Sequence, residues 1–272
     1  MTSVDKNICN QSISFFTSSR ESPVPFATCS NEIPIDKNFR ALSMRVCATP
    51  CAIPSAIPCS RPSLRPAARA LDGVQYYNST STRTINGSTI YPNNYKYSTL
   101  RAFLNGKYES GDTNNASYNN NGFLQRAFTP KAQGFIATTS VNNSARSCNP
   151  NINASQWSGG ANGYACENTS DKVFALSVQE ATTEEYGFNK DYTWHYFGRL
   201  MHTTDYAKAK GAYESKYSDN SSINKYGCTW LLRSPRELNE NQAWYVTTDA
   251  GIIYGDDVTS KFPAVLPALC LE

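Results

Sequence analysis

The rhythm of apolar and polar residues divides the chain. Through residues 1–70 apolar residues are broken up by proline, eight of the fourteen in the protein. The run Ala48-Thr-Pro-Cys-Ala-Ile-Pro-Ser-Ala-Ile-Pro-Cys59 interrupts helix and sheet ladder alike. Only Phe39–Val46 has the makings of a brief helix or strand, so 1–70 is expected to be an irregular Pro/Cys-rich arm and 71–272 the folded domain. Gly73–Tyr77 reads as a short strand and Asn86-Gly87 as a hairpin apex. Leu100, Phe103 and Leu104 share a helical face behind a Ser98 or Thr99 cap, and Asn105-Gly106 ends that helix. Phe123, Leu124 and Phe128 anchor a second helical turn, Thr129-Pro130 caps another, and Phe135-Ile136 enters a core segment.

After an Asn- and Gly-rich excursion over Asn142–Ser170, order returns at Asp171–Leu176, a buried strand by its composition. Ser177-Val-Gln-Glu180 has the spacing of a capping box, which predicts a helix to about Glu185. Tyr206–Lys210 is helical in pattern. Cys228–Arg233 reads as a strand stopped by Pro235. Ala243–Thr248 alternates, and Asp249-Ala-Gly251 turns it into Ile252–Tyr254. Val265-Leu266 and Leu269–Leu271 supply a final strand. Small helices feeding an antiparallel C-terminal sheet define an α+β domain.

Composition alters this picture in a few places. The net charge of +3 belongs to the arm, where eight Lys or Arg face four Asp or Glu; the rest holds seventeen against eighteen. With no basic stripe to track phosphates, nucleic acid is not an expected partner. No apolar run approaches the ~20 residues of a membrane span, and no signal peptide stands out. A surface rich in Asn, Ser, Thr and Tyr suits an exported or displayed protein at least as well as a cytosolic enzyme, and the expected place is outside the cell, on a cell surface or on a virion. Nine cysteines leave at least one without an intrachain partner. Cys47-x3-Cys51-x7-Cys59 lacks the paired spacing of a zinc knuckle, so no metal or other cofactor is expected.

Trp230-Leu-Leu-Arg-Ser-Pro235, Ala243-Trp-Tyr-Val246, Asp249-Ala-Gly251 and Val265-Leu-Pro-Ala-Leu269 form an ordered string. Upstream of it stand Tyr97–Asn105, Phe128, Asp171–Ser177 with Glu180, and Thr204-Asp-Tyr-Ala207 with Gly211-Ala212. On these residues, about 73–271, the chain resembles a bacterial and phage-associated family of uncharacterised extracellular domains. Its members look like C-type-lectin-like domains of the formylglycine-generating-enzyme type. Two departures stand out: Trp230-Leu231 where the family has paired tryptophans, and Ala264-Val-Leu-Pro267 where it has Gly-Val-Arg-Pro. The resemblance implies a C-type-lectin-like fold. Because some relatives look like variable proteins of diversity-generating retroelements, it also implies a ligand surface at Asn239, Asn241, Trp244, Tyr245, Thr247, Thr248, Ile252, Tyr254 and Asp256. Aromatic and small polar side chains of this kind make adaptable contacts at low ordering cost.

The motif itself reads as scaffold. Arg233, between Leu232 and Ser234-Pro235, is expected to tether a carboxylate or backbone carbonyls, with Trp230 in the core, Asp171 anchoring a strand and Glu180 capping a helix. His195 and His202 are the only histidines, and neither has a nucleophile at a recognisable spacing. A copper-dependent oxidase reading would need a close cysteine pair, for which Cys228 and Cys270 stand far apart in sequence. A calcium lectin site would need converging oxygens. Asp249, Asp256, Asp257 and Glu240 are available, but no Glu-Pro-Asn or Gln-Pro-Asp string occurs. No catalytic residue is therefore assigned and an enzyme is not expected. The leading expectation is a recognition domain for a cell-surface protein or glycan, compatible with a homo-oligomer. The rivals are an assembly module of a phage tail or surface appendage and, behind it, the oxidase.

Overall fold

A computed structural model describes residues 12–14, 45–46, 64–66, 69–71, 76–77, 79–150, 162–192, 197–216 and 226–271. Within the arm, β1 (Ser12–Ser14) pairs antiparallel with β2 (Arg45–Val46), the second of them inside the segment expected to order briefly. The proline repeat and Cys47–Cys59 lie outside the described residues. Farther on, β3 (Leu64–Pro66) and β4 (Arg69–Ala70) are built into the sheets of the main unit. The folded unit therefore reaches back to Leu64, ahead of the boundary at 71. Both strands are too short, at three and two residues, to show an alternating pattern, and the prolines around them hid what signal there was.

Local chemistry explains the next elements. β5 (Arg83–Ile85) and β6 (Ser88–Ile90) form a hairpin whose apex residues are left-handed, Asn86 at φ 50° and Gly87 at φ 79°. That turn matches the strand twist. In α1 (Thr99–Asn105) the Ser98 hydroxyl accepts the Arg101 N–H at 3.0 Å, and Gly106 at φ 62° closes the helix. α2 (Phe123–Ala127) packs on α1, and α3 (Pro130–Gln133) begins where the Thr129 hydroxyl accepts the Ala132 N–H. Tyr76 and Tyr77 are buried but not in a strand, while residues 72–75 lie outside the described set.

Two expectations shift in detail. The strand expected over Asp171–Leu176 is split into β8 (Thr169–Asp171), which pairs antiparallel with β7 (Thr139–Val141), and β9 (Val173–Ala175). At the break, the Asn105 side-chain oxygen accepts the N–H groups of Lys172 (3.0 Å) and Val173 (3.2 Å). The helix expected to run to Glu185 is instead two 3₁₀ turns, Glu180–Thr182 and Glu184–Tyr186. The Thr182 hydroxyl donates to Val178 and Gln179 carbonyls and the Thr183 hydroxyl to Gln179, so side chains compete with the helical ladder.

The remainder is mostly sheet. β10 (His202–Thr203) pairs parallel with β4; α4 (Asp205–Ala209) follows; β11 (Glu214–Lys216) pairs with β12 (Tyr226–Cys228). β13 (Trp230–Pro235), β14 (Gln242–Val246) and β15 (Ile252–Asp257) form an antiparallel sheet in that order. β16 (Pro267–Cys270) lies between β3 and β9, antiparallel to both. Short helices and antiparallel strand pairs together make an α+β arrangement. One continuous core joins Leu100, Phe103 and Phe123 to Phe174, Leu176, Trp230, Leu232 and Leu266. Among the described residues no helix is long and apolar enough to cross a membrane.

Candidate functional site

The β13–β14 connection, residues 236–241, is held from below. Asn93, fully buried, directs its side-chain amide to the carbonyls of Asn239 (3.0 Å) and Gln242 (3.1 Å), and its N–H to Glu240 (3.0 Å). The loop also closes on itself: Arg236 N–H donates to Gln242, and Asn241 N–H to the Asn239 side chain at 2.9 Å. The Val258 N–H reaches the Asn241 carbonyl at 2.9 Å. One buried asparagine thus satisfies a loop backbone that has no ladder of its own.

The β14–β15 turn is fixed in the same manner. Thr247 N–H and hydroxyl both donate to Gly251, and Ala250 takes a left-handed φ of 67°. Asp249 accepts the Thr247 hydroxyl and the Gly251 N–H. Arg199, fully buried, donates its Nε to the Ala250 carbonyl at 3.0 Å and its other nitrogens to the carbonyls of Ala181, Asn189 and Asp191. The Trp230 indole N–H in turn donates to the Arg199 carbonyl. Gly227 passes so close that a Cβ there would lie 2.0 Å from the Thr248 carbonyl oxygen.

Asn239, Asn241, Tyr245, Thr247 and Thr248 are half-buried on this scaffold. Trp244 and Ile252 correct the expectation of exposure, being only 5% and 3% exposed. An irregularity between Ala243 and Trp244 turns two successive side chains inward, breaking the alternation of β14. Ile252 stands opposite buried Val246, and cross-strand partners share a face. Register places Tyr254 opposite Trp244 and Asp256 opposite Ala243; their side chains lie outside the described residues.

The residues of the motif point the other way. Arg233 gives its five N–H groups to Asn143 Oδ1, the carbonyls of Ala175 and Asn142, and both oxygens of Glu180. Glu180 also accepts the Ser177 N–H while Ser177 Oγ accepts the Glu180 N–H, a reciprocal cap. Asp171 takes the Arg101 Nε on both oxygens, at 2.9 and 3.1 Å. Beneath Arg233, the buried Tyr76 hydroxyl lies 2.7 Å from the Arg233 carbonyl, and burial pushes its phenol well above the usual range.

A second polar cluster gathers around Glu214. Lys208 Nζ (2.7 Å), the Thr203 hydroxyl (2.5 Å) and His202 Nδ1 (3.3 Å) meet its carboxylate. Burial works against ionisation, but these three contacts outweigh it and hold the carboxyl below its ordinary value. The cluster is a carboxylate saturated by donors, which explains it as a clasp between β10, α4 and β11. His195 lies outside the described residues. Asp257 accepts the N–H and hydroxyl of Thr259, a turn, and among the described residues no three His, Cys, Asp or Glu converge as a metal site.

Asn93 and Arg199 are the functional supports that sequence reasoning missed. Asn93 sits in an Asn-rich stretch where nothing separates it from its neighbours. Arg199 had one signal, a lone cation within Phe197-Gly-Arg-Leu-Met201. A family model described as a domain of unknown function (DUF6273) matches residues 74–272. No curated protein and no solved structure matches the chain.

Proposed function

The chain belongs to the DUF6273 family, and we propose that this member is a non-catalytic recognition domain of C-type-lectin-like architecture. It acts outside the cell or on a virion and binds a cell-surface protein or glycan through residues 236–256. One observation carries this reading: both connections of the C-terminal sheet are pinned by buried side chains from distant segments, Asn93 and Arg199, while Asn239, Asn241, Tyr245, Thr247 and Thr248 stay partly open. A loop ordered before binding gives up little entropy on binding, so modest contacts suffice. Short helices beside an antiparallel C-terminal sheet are what the lectin-like resemblance implies, and they support that part of the reading. A retroelement-type variable protein would vary at these same open positions, with Trp244 and Ile252 left constant as core.

The test is a glycan array and a panel of cell-surface proteins probed with the full chain and with an Asn241→Ala/Tyr245→Ala/Thr248→Ala variant. A ligand retained by the parent and lost by the variant, at unchanged melting temperature, is the expected result. Binding that survives the triple change overturns the assignment of the surface. A stable oligomer that buries Tyr245, with no ligand on either array, overturns the recognition reading in favour of an assembly module.

A further inference from the structure

Cys148 and Cys166 belong to different segments, yet both line one small cavity together with Tyr95, Ser147 and Arg233. It encloses about 170 Å³ including the solvent at its mouth, and its interior is too narrow to admit a water molecule. A space of that size takes no ligand, so the chemistry open to its two thiols is with each other.

The backbone holds them to that cavity. The antiparallel pairing of β7 with β8 continues past Val141: Asn143 donates its side-chain amide to the Glu167 carbonyl at 3.0 Å and its N–H to Asn168 Oδ1 at 3.0 Å. The Cys166 N–H then donates to the Asn143 carbonyl at 3.3 Å. The 3₁₀ turn Ala145–Cys148 carries the chain back, so that the Cys148 thiol donates to the Ser144 carbonyl at 3.5 Å. The two cysteines are therefore held to consecutive carbonyls, those of Asn143 and Ser144. Burial pushes the Cys148 thiol up to about 12, and Cys166 adds to that rise, as a near neighbour does. Cys166 is half-buried whereas Cys148 is buried. Cys228 and Cys270 take no part in this wall.

We propose that Cys148 and Cys166 are a disulfide pair, formed by exchange with a small-molecule disulfide. The more accessible Cys166 loses its proton to solvent and its thiolate attacks one sulfur of the disulfide RSSR. That bond breaks, RS⁻ leaves, and Cys166 carries a mixed disulfide. Cys148 then loses its proton, attacks the Cys166 sulfur and expels the second RS⁻. Two protein thiols are oxidised to one cystine, and RSSR is reduced to two RSH that take up the two protons. The bond closes the loop between them and restrains the unfolded chain.

The full chain is equilibrated with oxidised glutathione, its remaining thiols are alkylated under denaturing conditions, and it is mapped by mass spectrometry. A linked peptide containing Cys148 and Cys166 is expected, with a melting temperature about 5–10 °C above the reduced protein. Cys166→Ser removes both effects, and Cys228→Ser leaves both in place. Alkylation of Cys148 and Cys166 after oxidation, or linkage of either to another cysteine, overturns the proposal. The mapping is done on the unaltered chain, so its outcome does not depend on whether either variant folds.

Discussion

Arg233 has no spare donor: five N–H groups, five acceptors, and a side chain 2% exposed. An arginine in that state is worth far more present than replaced, because among its acceptors Asn143 and Ala175 lie buried away from water. Arg233→Met is expected to cost about 3–5 kcal/mol, read as a lowered urea midpoint, since it strands the Glu180 carboxylate and two carbonyls. Glu214 has a pH signature. Its carboxyl is depressed in the fold, so its stabilisation is present above the ordinary glutamate range and is lost as pH falls through the depressed value. The stability gap between the parent and Glu214→Gln is therefore expected to be open at pH 7 and to close at pH 3, as measured by chemical denaturation. At this scale, legibility follows distance along the chain. Ser177 and Glu180 sit three residues apart, and their pairing was visible as a spacing. Arg233's need for partners was readable from its apolar neighbours, but their identities were not, since Glu180 and Asn143 are 53 and 90 residues away.

Elements were most legible where a cap or turn residue fixed them locally. Ser98, Gly106 and the Asn86-Gly87 apex did so, and α1 and the β5–β6 hairpin appear where those residues place them. Elements shifted where a tertiary bond intervened, as at the Asn105 contact that divides β8 from β9. The β14–β15 pair is the costliest case for the ligand surface: alternation sets Trp244 on the buried face of Val246, and the extra residue, Gly255 in β15, brings Ala243 inward beside it. Close approach between elements yields a prediction. Gly227→Ala is expected to lower stability by about 1–3 kcal/mol and to displace the 247–251 turn, because the added methyl meets the Thr248 backbone as well as the Leu200 side chain, and the backbone cannot swing aside. A thermal melt reads the first effect, and amide chemical shifts of Thr247–Gly251 read the second.

For the molecule as a whole, the folded unit starts earlier than either sequence rhythm or the family match would place it. β3 completes the sheet around β16, and β4 supports β10. A chain beginning at Arg61 is expected to melt above one beginning at Asp72, although both contain the whole of residues 74–272. Equal melting curves would show that the two strands add nothing to the domain.

The antiparallel register of that first sheet sets Leu64 beside Cys270. The first residue of β3 and the last of β16 are therefore neighbours, at the same end of one ladder. Tension applied between those two residues would peel β3 from β16 one hydrogen bond at a time, not shear the whole set at once. A domain held this way yields at low force and in order from its tether inward, so a load borne by the arm would release β3 while β13–β15 stayed folded.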